Sequence, residues 1–173
     1  MTGTAVTWSM DDYLQVRDLF VSQITHDEYT DWKTSQISFR LRCDQATVGF
    51  QLGDIESVRT HTDGHFYYRT ERTITIFPQI ERLIYTERQF EPDIFKVKPI
   101  DTTRLKIMAD DALDIAERNG GSAIRDEVAD KCGIEVIMLG WRGLYWEVSY
   151  AFRESDRKDF VVNVDGATGE VKR

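Results

Sequence analysis

Residues 134–152 decide how the chain folds: Ile134-Glu135-Val136-Ile137-Met138-Leu139, then Gly140-Trp141-Arg142-Gly143, then Leu144-Tyr145-Trp146-Glu147-Val148-Ser149-Tyr150-Ala151-Phe152. The first block is nearly all apolar and short, as a buried strand is. The Gly-bounded block turns the chain. The third alternates, with Leu144, Trp146, Val148, Tyr150 and Phe152 on one face, so that face meets a core. Downstream, Asp159 to Val164 reads as the last long strand, and Asp165-Gly166-Ala167-Thr168-Gly169 leads into Glu170-Val171-Lys172.

Upstream the period changes to that of a helix beginning near Asp101 or Thr103. Leu105, Met108, Ala109, Ala112 and Ala116 form one apolar stripe, while Asp110, Asp111, Asp114 and Glu117 face water. Asn119-Gly120-Gly121 stops it, because glycine accepts the left-handed conformation beyond a helix end. Ser122 then opens a short helix to about Lys131, with Gly133 as its stop.

Pro92 and Pro99 bracket Asp93 to Lys98, an extended linker, since proline cannot donate to a strand ladder. The expected boundaries are an N-terminal subdomain over 1–91, a linker over 92–100 and a second subdomain over 101–173. The N-terminal part opens with an amphipathic helix from about Met10 to Ile24, with Ser9 and Asp12 resembling a capping box. An antiparallel meander follows. Ile37, Phe39, Leu41 and Cys43 alternate, Val48, Phe50 and Leu52 continue the pattern, and Gly53-Asp54 turns the chain into Ile55 to Thr60. Asp63-Gly64 makes a tight hairpin, Thr73 to Phe77 is closed by Pro78, and Leu83-Ile84-Tyr85 returns. The fold class is therefore α+β, with two units that each run helix first and antiparallel sheet afterwards. That order raises a duplication, although the halves do not align by residue identity.

The chain has 173 residues and a net charge of −8, with 15 acidic and 11 basic residues on each side of residue 100. The acidic balance argues against a nucleic-acid binder, and no run approaches the ~20 apolar residues of a membrane span. The N-terminus, Met1 to Val6, has neither a basic nor an apolar targeting region. Taken literally that means cytoplasmic; a leader outside this sequence makes the protein extracytoplasmic. Cys43 and Cys132 lack C-x-x-C spacing and read first as two buried free thiols, with one bridge open if the fold joins them.

No catalytic constellation stands out, and no metal site or cofactor is expected. His61-Thr62-Asp63-Gly64-His65 brings two imidazoles and a carboxylate close, but a hairpin there puts the imidazoles on opposite pleats. Gly120-Gly121-Ser122 precedes a helix N-terminus, yet a stop followed by a cap explains it. Arg40, Arg42, Arg69, Arg72, Arg82 and Arg88, with Tyr67, Tyr68 and Tyr85, have the composition of a single-strand binding face. Asp44, Glu71, Glu81 and Glu87 dilute that charge, so cross-strand ion pairs are the preferred reading. The candidate partner-binding residues are Trp141, Arg142 and Tyr145. Trp141 stands at a turn, where burial is not required, and Trp beside Arg is the composition of a binding hot spot. The competing reading folds Trp141 back over the core edge.

Residues 101–173 resemble the PepSY domain, a small cystatin-like α+β module. The resemblance rests on Ala112-Leu113-Asp114-Ile115-Ala116, on Tyr145-Trp146-Glu147-Val148-Ser149-Tyr150, and on Val162-Asn163-Val164-Asp165-Gly166-Ala167-Thr168-Gly169-Glu170-Val171. In that ending Asp165 can accept turn N–H bonds, and Gly169 permits positive φ. The short helix from Ser122 departs from the pattern, and residues 1–100 carry no such resemblance. The resemblance implies non-catalytic, extracytoplasmic work as a partner of peptidases or as a sensory module. The expected function is an exported binding or regulatory module that engages a protein partner. The alternatives are a cytoplasmic small-ligand-binding protein or enzyme with a pocket between helix and curved sheet, and an acidic inhibitor that covers a basic partner. Oligomeric state stays open.

Overall fold

A computed structural model describes residues 32–43, 47–56, 69–90, 98–128, 132–152 and 159–172, together with Gln15 and Leu19. Its centre is one eight-stranded sheet in the order β4-β3-β2-β1-β5-β6-β7-β8, with every neighbouring pair antiparallel. The strands are β1 (Trp32–Arg42), β2 (Thr47–Glu56), β3 (Arg69–Phe77), β4 (Arg82–Phe90), β5 (Cys132–Leu139), β6 (Tyr145–Phe152), β7 (Phe160–Asp165) and β8 (Val171–Lys172).

This overturns the two helix-then-sheet subdomains. β1 pairs with β5 from Gln36↔Leu139 to Arg42↔Gly133, so strands from both expected halves form one continuous sheet. The physical reason is edge satisfaction: β5 alone would leave a row of unpaired backbone groups, and β1 occupies it. Residues 101–173 therefore do not close on themselves. A bridge between Cys43 and Cys132 locks the end of this seam, with Cα atoms 5.5 Å apart. The preference for free thiols is corrected by the register, which places Arg42 opposite Gly133 and so brings the flanking cysteines together.

Alternation runs in phase across the whole sheet, because antiparallel partners share a face. One face carries Ile74 and Ile76, Phe50 and Leu52, Ile37 and Phe39, Ile134, Val136 and Met138, Trp146, Val148 and Tyr150, and Val162 and Val164, all buried. Helix α1 (Ala109–Ala116) covers the β5–β7 part of this face. Its buried residues are Ala109, Ala112, Leu113 and Ala116, and the three alanines let it lie close to the bulk of Trp146. Fully burying such large apolar side chains contributes about 1.5–3 kcal/mol each.

Three boundaries differ from the sequence expectations. The helix starts at Ala109 rather than near Asp101, because residues just before it are claimed elsewhere. The N–H groups of Lys106 and Ile107 both donate to the Gly166 carbonyl at 2.9 Å, and the Trp146 indole donates to the Ile107 carbonyl at 2.7 Å. At this start the Asp111 carboxylate accepts the Met108 N–H at 3.4 Å. Gly53-Asp54 is not a turn: β2 runs straight through it, opposite an irregularity in β1 between Thr34 and Gln36. The Ser35 hydroxyl donates to the Gly53 carbonyl at 3.1 Å, and a Cβ on Gly53 would press on Gln36. Gly133 lies inside β5 rather than ending a helix.

The stop at Asn119-Gly120-Gly121 becomes a π-type turn, Glu117–Gly121, in which Gly120 takes φ +116 before α2 (Ser122–Val128). Gly121 is required by its neighbour, since any Cβ there would overlap the Tyr150 hydroxyl. Of the helix expected from Met10 to Ile24, only Gln15 and Leu19 are described, both helical. The His61–His65 hairpin and the stretch from Pro92 to Val97 lie outside the described residues.

Candidate functional site

The face of the sheet away from α1 carries the out-of-phase residues. In β5 these are Glu135, Ile137 and Leu139, and in β6 Tyr145, Glu147 and Ser149. The turn between them is a 3-10 turn, Gly140–Arg142, whose tightness is fixed by Gly140. A Cβ at Gly140 would run into the Lys98 backbone carbonyl, so residues 98–100 brace the turn from behind. Ile100 completes that brace by donating its N–H to the Thr34 carbonyl at 2.7 Å.

The brace leaves Trp141 outside. It is 52% exposed, so it does not fold back over the core edge. The Arg142 guanidinium lies 4.7 Å from the centre of the Trp141 ring and also pairs with the Glu147 carboxylate. Across from it, the Lys172 ammonium sits 3.9 Å over the Tyr145 ring and meets the Tyr145 hydroxyl. Arg142, Tyr145, Glu147 and Lys172 join Ile137, Leu139 and Asn163 in a groove of about 270 Å³. Its floor is apolar and its rim holds two cations and one carboxylate. Cations stacked on aromatic faces keep both groups ordered and partly desolvated before anything binds.

Arg142 and Tyr145 thus share the groove, whereas Trp141 does not line it but stacks on Arg142, which does. Ile137, Leu139, Glu147, Asn163 and Lys172 were not singled out from the sequence. One signal was present. A strand covered on one face alternates, whereas Ile134 to Leu139 is nearly all apolar, which is the pattern of a strand with apolar contact on both faces. Lys172 had no such signal, because only the β7–β8 pairing Asn163↔Lys172 carries it there.

The β7–β8 turn holds Lys172 in place. One Asp165 oxygen accepts the N–H groups of Ala167 at 2.8 Å and Thr168 at 3.0 Å, and Gly169 takes φ +78. These backbone donors, first the Ala167 N–H, hold the Asp165 carboxyl below the usual range. On the opposite face, the Tyr150 hydroxyl donates to Glu117 at 2.7 Å, and Glu117 is also paired with Arg125 at 2.7 Å. Burial first, then the bond to Glu117, pushes the Tyr150 phenol up, and the Glu117 bond raises Arg125. This trio ties α2 to β6 and satisfies the polar atoms under the π-type turn.

The space between α1 and the sheet is filled by Trp146, Val148, Val162, Val164 and the helix alanines, so the groove lies on the opposite face from the pocket the sequence suggested. Three arginines of the first four strands are engaged across strands: Arg40 with Glu135 at 3.2 Å, Arg72 with Glu87 at 3.3 Å and Arg88 with Glu71 at 2.8 Å. Among the described residues no three or more His, Cys, Asp or Glu are gathered to hold a metal ion. No helix among them is long and apolar enough to cross a membrane. Compared with protein-family models, curated proteins and solved structures, the chain matches none.

Proposed function

We propose that the protein is an exported, non-catalytic binding module that engages a protein partner through Trp141 and the adjoining groove lined by Arg142 and Lys172. The observation that carries this reading is the exposure of Trp141, held on a braced turn and stacked on the Arg142 guanidinium that lines an apolar-floored groove. Leaving a large indole in water is unfavourable unless a partner covers it, and rigid aromatic and Arg anchors are how interfaces concentrate affinity. The Cys43–Cys132 bridge supports export, since structural disulfides persist in oxidising compartments. A peptidase is the partner class that the PepSY-like residues of 101–173 suggest.

The test is selection of peptides from a displayed random library on the full chain, followed by affinity measurement on variants. Selected peptides are expected to lose about 30-fold or more in affinity for Trp141→Ala, a hot-spot loss. They should bind Ile80→Ser, an exposed site at the far end of the sheet, as they bind the parent. Peptides that treat Trp141→Ala and the parent alike count against the groove.

A further inference from the structure

The two edges of the sheet are unlike. At one end β8 is a two-residue strand, too short to template another chain. At the other end β4 is nine residues long, and no described strand lies beyond it. Its sequence, Arg82-Leu83-Ile84-Tyr85-Thr86-Glu87-Arg88-Gln89-Phe90, contains no proline or lysine, and its three charges, Arg82, Glu87 and Arg88, are of mixed sign. β4 keeps unbroken register with β3 from Arg69↔Phe90 to Phe77↔Arg82, so no bulge turns the edge away.

We infer that the β4 edge is a self-pairing surface, joining two copies of this chain into one continuous antiparallel sheet about a two-fold axis through Thr86. The charge pattern selects this partner and this register. A two-fold axis normal to the sheet keeps both apolar faces on one side, and it must pass through a residue position for opposed residues to share a face. An axis at Tyr85 opposes Arg82 with Arg88 of the second copy, twice. An axis at Glu87 opposes that carboxylate with itself, and one at Arg88 does the same to the guanidinium. An axis at Ile84 overlaps only residues 82–86 within the strand. The axis at Thr86 overlaps the whole of β4 and opposes no like charges: Arg82 lies opposite Phe90, Leu83 opposite Gln89, Ile84 opposite Arg88, and Tyr85 opposite Glu87. Thr86 meets its own copy, a favourable cross-strand pair. Within one chain the Tyr85 hydroxyl already donates to Glu87 at 2.9 Å, so the two groups are suited to the same bond across the axis.

The experiment is light-scattering mass measurement on the full chain up to about 0.2 mM, because dimer population depends on concentration. The parent is expected to reach twice the 20.1 kDa chain mass, and Thr86→Lys, which opposes two ammonium groups at the axis, to stay at the single mass with unchanged circular dichroism. Val161→Lys, at the other end of the sheet, should dimerise as the parent does. Thr86→Cys should give a covalent dimer on mild oxidation, because directly opposed residues have Cα atoms about 4.5–5.5 Å apart, within disulfide reach. A monomeric parent, a dimeric Thr86→Lys, loss of the dimer in Val161→Lys, or open-ended aggregates each overturn the inference. So does a folded Thr86→Cys that forms no covalent dimer.

Discussion

Reducing the Cys43–Cys132 bridge should remove a large part of the protein's stability while leaving its native contacts in place. The bridge closes a loop with a sequence separation of 89, and chain entropy then assigns it about 4.6 kcal/mol at 25 °C. Domains of this kind are stable by about 5–15 kcal/mol, so the reduced protein stays folded with a thin margin. Both cysteines are buried, at 4% exposure, and cross-link the ends of β1 and β5, the seam on which the single sheet depends. With a urea m-value of about 2 kcal/mol/M, the midpoint should fall by about 2 M. The m-value itself should rise on reduction, because the unbridged unfolded chain exposes more surface. Urea titrations followed by circular dichroism, with and without a phosphine reductant, measure both. Coincident curves after complete reduction, verified by thiol counting, would refute the reasoning.

Three further perturbations bear on the scaffold and the site. Tyr150→Phe removes the hydroxyl that donates to Glu117 and should cost about 1.5 kcal/mol in chemical denaturation, as bonds to charged groups do. Gly140→Ala forces the 98–100 brace off the turn; overpacking of this kind costs about 1–3 kcal/mol, and Trp141 emission should shift because its turn moves. Asp165→Asn tests a pH dependence. The Asp165 carboxyl is held below its ordinary value in the folded state, so its contribution is fully present above an unfolded pKa of about 3.9 and is lost as pH falls through the lowered folded value. The stability gap between parent and variant, from denaturation midpoints across pH, should be constant near neutrality and close in acid; a gap that widens in acid contradicts the assignment.

Much of the fold was readable from local pattern. The alternation of Leu144 to Phe152 placed Trp146, Val148 and Tyr150 inside, and Asp165 with Gly169 marked the last turn. What the pattern lacked was any record of pairing between distant strands. Ile37-Phe39-Leu41 and Ile134-Val136-Met138 each announce an apolar face, but nothing local says that they continue one another through β1 and β5. Prolines 92 and 99 therefore suggested separate units, and Cys43 and Cys132 read first as free thiols, a bridge being left to the fold. Gly53-Asp54 misled for the same reason: a turn dipeptide was held in a strand by the irregularity opposite it in β1. At the site, the turn residues Trp141 and Arg142 stood out by composition. The groove floor of Ile137 and Leu139, and Lys172 above Tyr145, needed four strands, β5 to β8, to be laid side by side.

Trp141 is the proposed anchor by which this protein holds a partner. The most direct measurement is the dissociation constant of a library-selected peptide for the parent and for Trp141→Ala, with unfolding midpoints taken on both. The expected result is a loss of about 30-fold or more, a hot-spot loss of about 2 kcal/mol, with the fold unchanged. Equal affinity in a variant of equal stability would contradict it.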